Sequence, residues 1–280
     1  MPVHFFMLVR AGIRALCVGA FAAGFFIPAS VPTAKAQQVS IPVQAYGLLH
    51  RRAEYLWGLA NPYIQNKADF FGGIDAAKAT TFVWMGATYA PFGTLGDDGW
   101  RVRVIGGAGK YSYSTSVAPG GINDAFAFSG ELLGGYRKAF ADVLGHTIYA
   151  GVFAGLHYED QILVYDDPGN PARGSDAGFK ASLELYSRVR QHFIVTAFGS
   201  VSTVHEKYYA KTSLLYELNE TWSLGGEIAA MGDARHKEQR AGLAGSLSWQ
   251  KKIFTLSAGM LDNSGRGDGT YLTLSVYSPF

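Results

Sequence analysis

The last eleven residues, TYLTLSVYSPF at 270–280, constrain the fold more than any other stretch. Read with period two, Leu272, Leu274, Val276 and Phe280 fall on one side, and Tyr271, Thr273, Ser275 and Tyr277 on the other. A strand faces alternate sides with successive residues, so this is an amphipathic strand whose outer face is apolar. Such a strand suits a closed sheet with lipid outside and a polar lumen inside. It suits the edge of a soluble sandwich equally well, and Ser278 and Pro279 depart from the barrel pattern, Pro279 by lacking a ladder donor. The rest of the chain separates the two readings.

The same alternation recurs from residue 69 onward. Twelve strands are predicted at 69–76, 81–90, 100–113, 125–137, 145–158, 177–188, 192–202, 207–218, 221–231, 238–249, 252–261 and 270–280. In 125–137, Phe126, Phe128, Leu132 and Tyr136 oppose Ser129, Glu131 and Arg137. In 177–188, Phe179, Ala181, Leu183 and Leu185 oppose Lys180, Ser182, Glu184 and Arg188. In 221–231, Trp222, Leu224, Ile228 and Ala230 oppose Ser223 and Glu227; in 238–249, Leu243, Leu247 and Trp249 oppose Arg240, Ser246 and Ser248. The first hairpin is the weakest, because Ala77 and Lys78 are poor turn formers, and ten strands is the alternative count.

Loop length adds an independent signal. A barrel strand crosses the bilayer in about 9–11 residues, and connections alternate between the two sides of the membrane. The outward connections are long: Ser114–Asp124, Glu159–Asp176 and Asp262–Gly269. Those on the other side are short (Val189–Gln191, Asn219–Glu220, Gln250–Lys251), with Pro91–Gly99 the exception. A soluble sandwich has no reason to sort loops by parity. Tyr89, Trp100, Tyr111, Tyr113, Tyr136, Tyr158, Tyr208, Tyr216, Trp222 and Trp249 lie near strand ends, as interfacial girdles require. Charged residues make up only 16% of the chain, which is low for a soluble domain and ordinary for a barrel with one face in lipid. The fold class is therefore all-β, an antiparallel transmembrane β-barrel of outer-membrane type.

The N-terminal residues read as an export signal. Arg10 and Arg14 precede an apolar run from Ala15 to Ile27, and Ala34-Lys35-Ala36 places small residues at −3 and −1, so cleavage is expected before Gln37. Cys17, the single cysteine, lies within that run, so the mature chain would carry neither cysteine nor disulfide. Residues 1–36 are read as signal peptide, 37–68 as a partly ordered periplasmic lead-in, and 69–280 as the barrel. Tyr46–Trp57 has spacing for a short helix, but Gly47 and Gly58 leave it only a few turns. The expected location is the outer membrane. Expected partners are outer-membrane lipid and lipopolysaccharide, together with the barrel-assembly machinery, whose recognition signal a terminal aromatic such as Phe280 resembles. A net charge of +2 gives no footprint for nucleic acid.

The polar parity gathers Arg101, Arg103, Glu131, Arg137, Lys180, Glu184, Arg188, Lys211, Glu217, Glu227 and Arg240. These are the candidate lumen residues, with Tyr149, His157, Tyr186, Tyr209 and Tyr271 beside them. Mixed signs favour internal pairing, since a charge held away from water is costly alone. A sharper alternative is a path for a neutral polymer such as a sugar chain. Catalytic signals are thin. His157 and His205 have no serine in a convincing lipid-facing position, as a barrel phospholipase would need, and GxSxG, HExxH and clustered metal ligands are lacking. Asp160, Asp166, Asp167 and Asp176 do not follow an EF-hand frame. No cofactor, metal or catalytic residue is expected. Lys207, Lys211, Arg235, His236, Lys237 and Arg240 are placed on outer strand ends, where they could meet lipopolysaccharide.

FFGGID at 70–75 and FVWMGATYAPFGTLGDDGWRVRVIGGAGKYSY at 82–113 carry a family likeness. The AP-F-G turn, the DG-Trp step into an R-x-R strand, and the G-x-G-K-Y-x-Y close resemble the BcsS family of cellulose-biosynthesis proteins over residues 70–280. The resemblance implies a non-catalytic outer-membrane accessory of cellulose production or secretion. It implies, as partners, cellulose synthase complex subunits or the glucan chain, and it brings no catalytic residue. A closed-lumen structural or adhesion barrel and an outer-membrane enzyme acting on lipid or glycan are the alternatives.

Overall fold

The computed structural model describes residues 66–280 except 191, 234–235 and 265–266. The signal peptide and nearly all of the lead-in, with its short helical spacing, lie outside the described residues.

The described chain is one closed antiparallel sheet of twelve strands. They are β1 (Ala68–Ala77), β2 (Thr80–Tyr89), β3 (Gly99–Ser114), β4 (Ile122–Val143), β5 (His146–Leu163) and β6 (Gly174–Val189). The second half comprises β7 (Phe193–Ser202), β8 (Tyr208–Glu217), β9 (Trp222–Gly232), β10 (Lys237–Trp249), β11 (Lys252–Asn263) and β12 (Gly269–Pro279). Each strand pairs with its sequence neighbours, and β1 pairs with β12 from Asp69↔Pro279 to Ala77↔Tyr271, which closes the barrel. Phe280 adds a last rung by donating its N–H to the Ala68 carbonyl at 2.9 Å. Full closure leaves no sheet edge.

The exterior is apolar because each strand puts its hydrophobic parity outside. Phe70, Val104, Phe128, Leu156, Phe179, Leu243 and Leu272 are all exposed. A continuous apolar belt of this kind on a closed sheet is what a lipid-facing surface requires. Trp100 and Tyr136, packed edge to face at 5.5 Å, lie on this surface near the end of the barrel that carries the chain termini.

Five corrections bear on the interior. Strands β4 and β5 run 22 and 18 residues, longer than a bilayer needs, and with them the connections on that side shrink to 115–121 and 164–173; the β11–β12 connection is 264–268. Asp160 and Asp176, expected in a loop, therefore sit in strands. Tyr111 and Tyr113 share the parity of Arg101 and Arg103 and face inward rather than joining a girdle. Lys207, Lys211 and Arg240 are also turned inward by ion pairs rather than presented to lipopolysaccharide. Arg235 lies outside the described residues. The first hairpin, expected to be weak, closes tightly with Ala77 opposite Thr80. At the terminus-bearing end, Gln250 and Lys251 both take positive φ (46° and 67°), the two-residue turn that matches sheet twist.

Candidate functional site in the barrel interior

The register places all eleven candidate residues on the inward parity, where they fall into three groups. The first secures a loop. Residues 90–98, the long exception among the terminus-side connections, fold beneath the mouth on the β1–β4 side. Arg101 donates Nη2 to the carbonyls of Thr94 (3.0 Å), Leu95 (3.3 Å) and Asp97 (2.5 Å), and Nη1 to Trp100 O (2.9 Å). Arg137 Nη1 reaches Leu95 O at 3.1 Å. Asn66 O accepts from Leu95 N, and Asp98 accepts from Ala139 N at 2.7 Å. Arg101 is only 2% exposed, so its cation is compensated by loop carbonyls, a form of satisfaction that burial demands.

The second group fills the β1–β6 side. The Arg103 guanidinium lies 3.9 Å from the Phe153 ring centroid and 5.6 Å from that of Phe71. It also donates to Glu184 at 3.0 Å and to Thr88 Oγ1 at 3.1 Å. Arginine suits this position because its plane stacks on aromatic faces while its edge donates. Glycine makes room for the rings. A Cβ on Gly86 would stand 2.5 Å from the Phe71 ring, and one on Gly135 would stand 2.3 Å from that of Phe153.

The third group consists of ion pairs, of which only Lys211–Glu227 joins neighbouring strands. Arg240 on β10 forms a bidentate pair with Asp75 on β1 (2.6 and 2.8 Å), and its Nε donates to Glu238 at 2.6 Å. Lys180 pairs with Glu131, Arg188 with Glu217, and Lys211 with Glu227. Glu227 also accepts from Ser257 (2.7 Å) and Tyr271 (3.0 Å). Toward the opposite end, Glu159 accepts from Lys207 and Gln161, and Gln161 accepts from Tyr111. The sequence reading missed Asp75, Glu159, Glu238 and Asn263, whose Nδ2 donates to Glu238 at 2.8 Å, and it placed Lys207 on the outer rim. Parity was the available signal for Asp75 and Glu159, two residues from other inward positions.

His157 also faces this interior. Its Nδ1 lies 2.7 Å from Ser202 Oγ, and its Nε2 lies 4.0 Å from Glu159. This contact is inside the barrel, not on the lipid face. Ser202 Oγ also accepts from Val204 N at 3.1 Å.

Between the charged network and the terminus-side mouth lies a cavity of about 390 Å³ on the β6–β12 side. Its wall is rich in hydroxyls and also carries the ion-paired Lys211, Glu217 and Glu227. Ser223, Ser246, Thr255 and Ser275 are direct cross-strand partners on four consecutive strands. Thr196 and Ser213 extend the lining, their hydroxyls 2.6 Å apart. Tyr277 and Tyr186 add rings, and Asn219 and Glu220 stand at the mouth.

The model of the family described as cellulose biosynthesis protein BcsS matches residues 70–280. The chain belongs to that family. The matched residues span the barrel described above, so the BcsS domain and the closed sheet are one unit. No curated protein matches the chain. Among solved structures, the barrel is similar to the KdgM porin at 12% identity, covering 76% of this chain and 99% of that one with a TM-score of 0.45. LpxR from Salmonella typhimurium shows 11% identity over 76% of this chain and 100% of its own, with a TM-score of 0.43. The translocator domain of the autotransporter NalP from Neisseria meningitidis shows 11% identity over 85% and 97%, with a TM-score of 0.42. The closed register within this BcsS chain, rather than these likenesses, carries the fold.

Proposed function

We propose that this chain is a non-catalytic outer-membrane accessory of bacterial cellulose production or secretion. It is exported with cleavage before Gln37, inserted by the barrel-assembly machinery, and oriented with both termini in the periplasm. There it works beside cellulose synthase complex subunits or the glucan chain itself. Membership of the BcsS family is the observation that supports the cellulose role. The apolar exterior of the closed sheet supports the membrane location. Deleting the gene tests the reading: cellulase-sensitive dye binding falls and a plasmid copy restores it, with the protein in the outer-membrane fraction.

The non-catalytic part rests on how the interior polar groups are engaged. Ser202 and His157 touch, but both carboxylates near the imidazole are engaged, Glu159 by Lys207 and Gln161 and Glu131, the cross-strand partner of His157, by Lys180. Replacing Ser202 with Ala is expected to leave cellulose output unchanged. Loss of cellulose in a folded S202A protein would reinstate a Ser–His nucleophile. A second reading, a closed structural or adhesion barrel, draws on the loop held under the mouth and the cross-interior ion pairs.

A further inference from the structure

We propose that the hydroxyl-lined cavity at the terminus-side mouth binds a neutral glycan chain. Naming that chain as a β-glucan rests on the cellulose reading above, whereas the site's character follows from its walls. Ser223, Ser246, Thr255 and Ser275 form an unbroken cross-strand row. At the usual strand spacing four such residues span about 14 Å, a linear array of groups that both donate and accept hydrogen bonds. A polyhydroxylated chain has the matching chemistry along its length.

The charges inside the cavity are already paired, and Glu220 stands at its mouth. Lys211 pairs with Glu227, and Glu217 with Arg188, so an ionic polymer gains no uncompensated partner inside. Ile194, Leu215 and Ile253 interrupt the hydroxyls with apolar surface. Tyr277 adds an aromatic ring to the same wall. Alternating apolar and hydrogen-bonding surface suits a sugar, whose rings offer C–H faces and hydroxyl edges. The volume of about 390 Å³ falls within the range of small-molecule sites, about 300–1,000 Å³. Access is one-sided. The cavity reaches the mouth beside Asn219 and Glu220, whereas the β1–β4 side of that mouth carries the loop at 90–98.

The test is calorimetric titration of the full mature barrel, in a sugar-free detergent, with cellohexaose. A charged oligogalacturonate of equal length serves as the contrast. The double variant S246A/T255V removes two central hydroxyls without adding bulk, and S202A marks the other end of the interior. Retained heat-modifiable migration shows that each variant has folded. Cellohexaose is expected to bind the wild type and S202A alike, at least tenfold more tightly than it binds S246A/T255V and at least tenfold more tightly than oligogalacturonate binds the wild type. No binding to wild type, equal binding to the double variant, or a preference for the charged chain overturns the site. If deletion abolishes cellulose but the wild-type barrel ignores cellohexaose, the cavity proposal fails and the accessory role stands. If the titration succeeds and deletion leaves cellulose unchanged, the glycan site stands and the cellulose role fails.

Discussion

Arg240 shows what the interior asks of a single residue. Its guanidinium is 6% exposed and is met by Asp75 on one side and Glu238 on the other. Burying a cation is tolerable when such partners replace its water. Removing one partner leaves charge uncompensated, so Asp75→Ala is expected to cost about 3–5 kcal/mol of stability. Urea-induced unfolding in lipid vesicles measures this, and an unchanged midpoint would mean the pair is idle. Gly86 tests the opposite constraint, lack of space. A valine there would meet the Phe71 ring and the Val104 backbone, and is expected to destabilise by about 1–3 kcal/mol in the same assay. The sequence made these positions unequally legible. Arg240 and Glu227 stand out because their strands alternate cleanly. Asp75 does not, because Gly72 and Gly73 blur the pattern of β1 and because its partner lies 165 residues away. Tyr111 and Tyr113 were assigned by closeness to a strand end, when their odd-numbered parity with Arg101 and Arg103 is what decides their direction.

At the scale of elements, the loop at 90–98 is the informative one. Its length broke the rule of short connections on the terminus side, and the carbonyls it offers to Arg101 and Arg137 explain why. Loop length gave a signal that something differed there. It gave no hint that two expected lumen cations would be used as fasteners, since carbonyl acceptors have no sequence signature. Arg101→Gln keeps a donor but loses the fork that spans Thr94, Leu95 and Asp97. That variant is expected to cut faster than wild type within 90–98 when detergent-solubilised protein meets a protease, while the strands stay resistant. Equal cleavage would show that the loop holds without the arginine. Strand bounds were less legible. The reach of β4 to Val143 depends on pairing with β5 around a turn in which Asp142 and Leu144 take positive φ, 62° and 54°. Leucine gives no sign of that backbone, and a lone aspartate gives only a weak one.

For the whole molecule, closure was legible because twelve alternating runs and parity-sorted loops have few other solutions. The division of the interior was not. The β1–β6 side is filled by Phe71, Phe153 and Arg103, whereas the β7–β12 side keeps a hydroxyl-lined cavity. Which inward residues meet depends on strand tilt and on partners several strands apart, quantities that a single sequence does not carry. With ion pairs across the interior and a loop under one mouth, wild-type protein in planar bilayers is expected to conduct far less than an open porin. Replacing 91–98 by a two-residue turn is expected to raise conductance, and an unchanged trace would show that the loop does not restrict the path. The proposed role is service to cellulose production from the outer membrane. Extracellular cellulose in a deletion strain tests it most directly, by a cellulose-binding dye with a cellulase-treated control and a complemented strain. Cellulase-sensitive dye binding is expected to fall on deletion and to return with the wild-type gene. Undiminished dye binding in the deletion strain, with the wild-type protein present in the outer membrane, would contradict it.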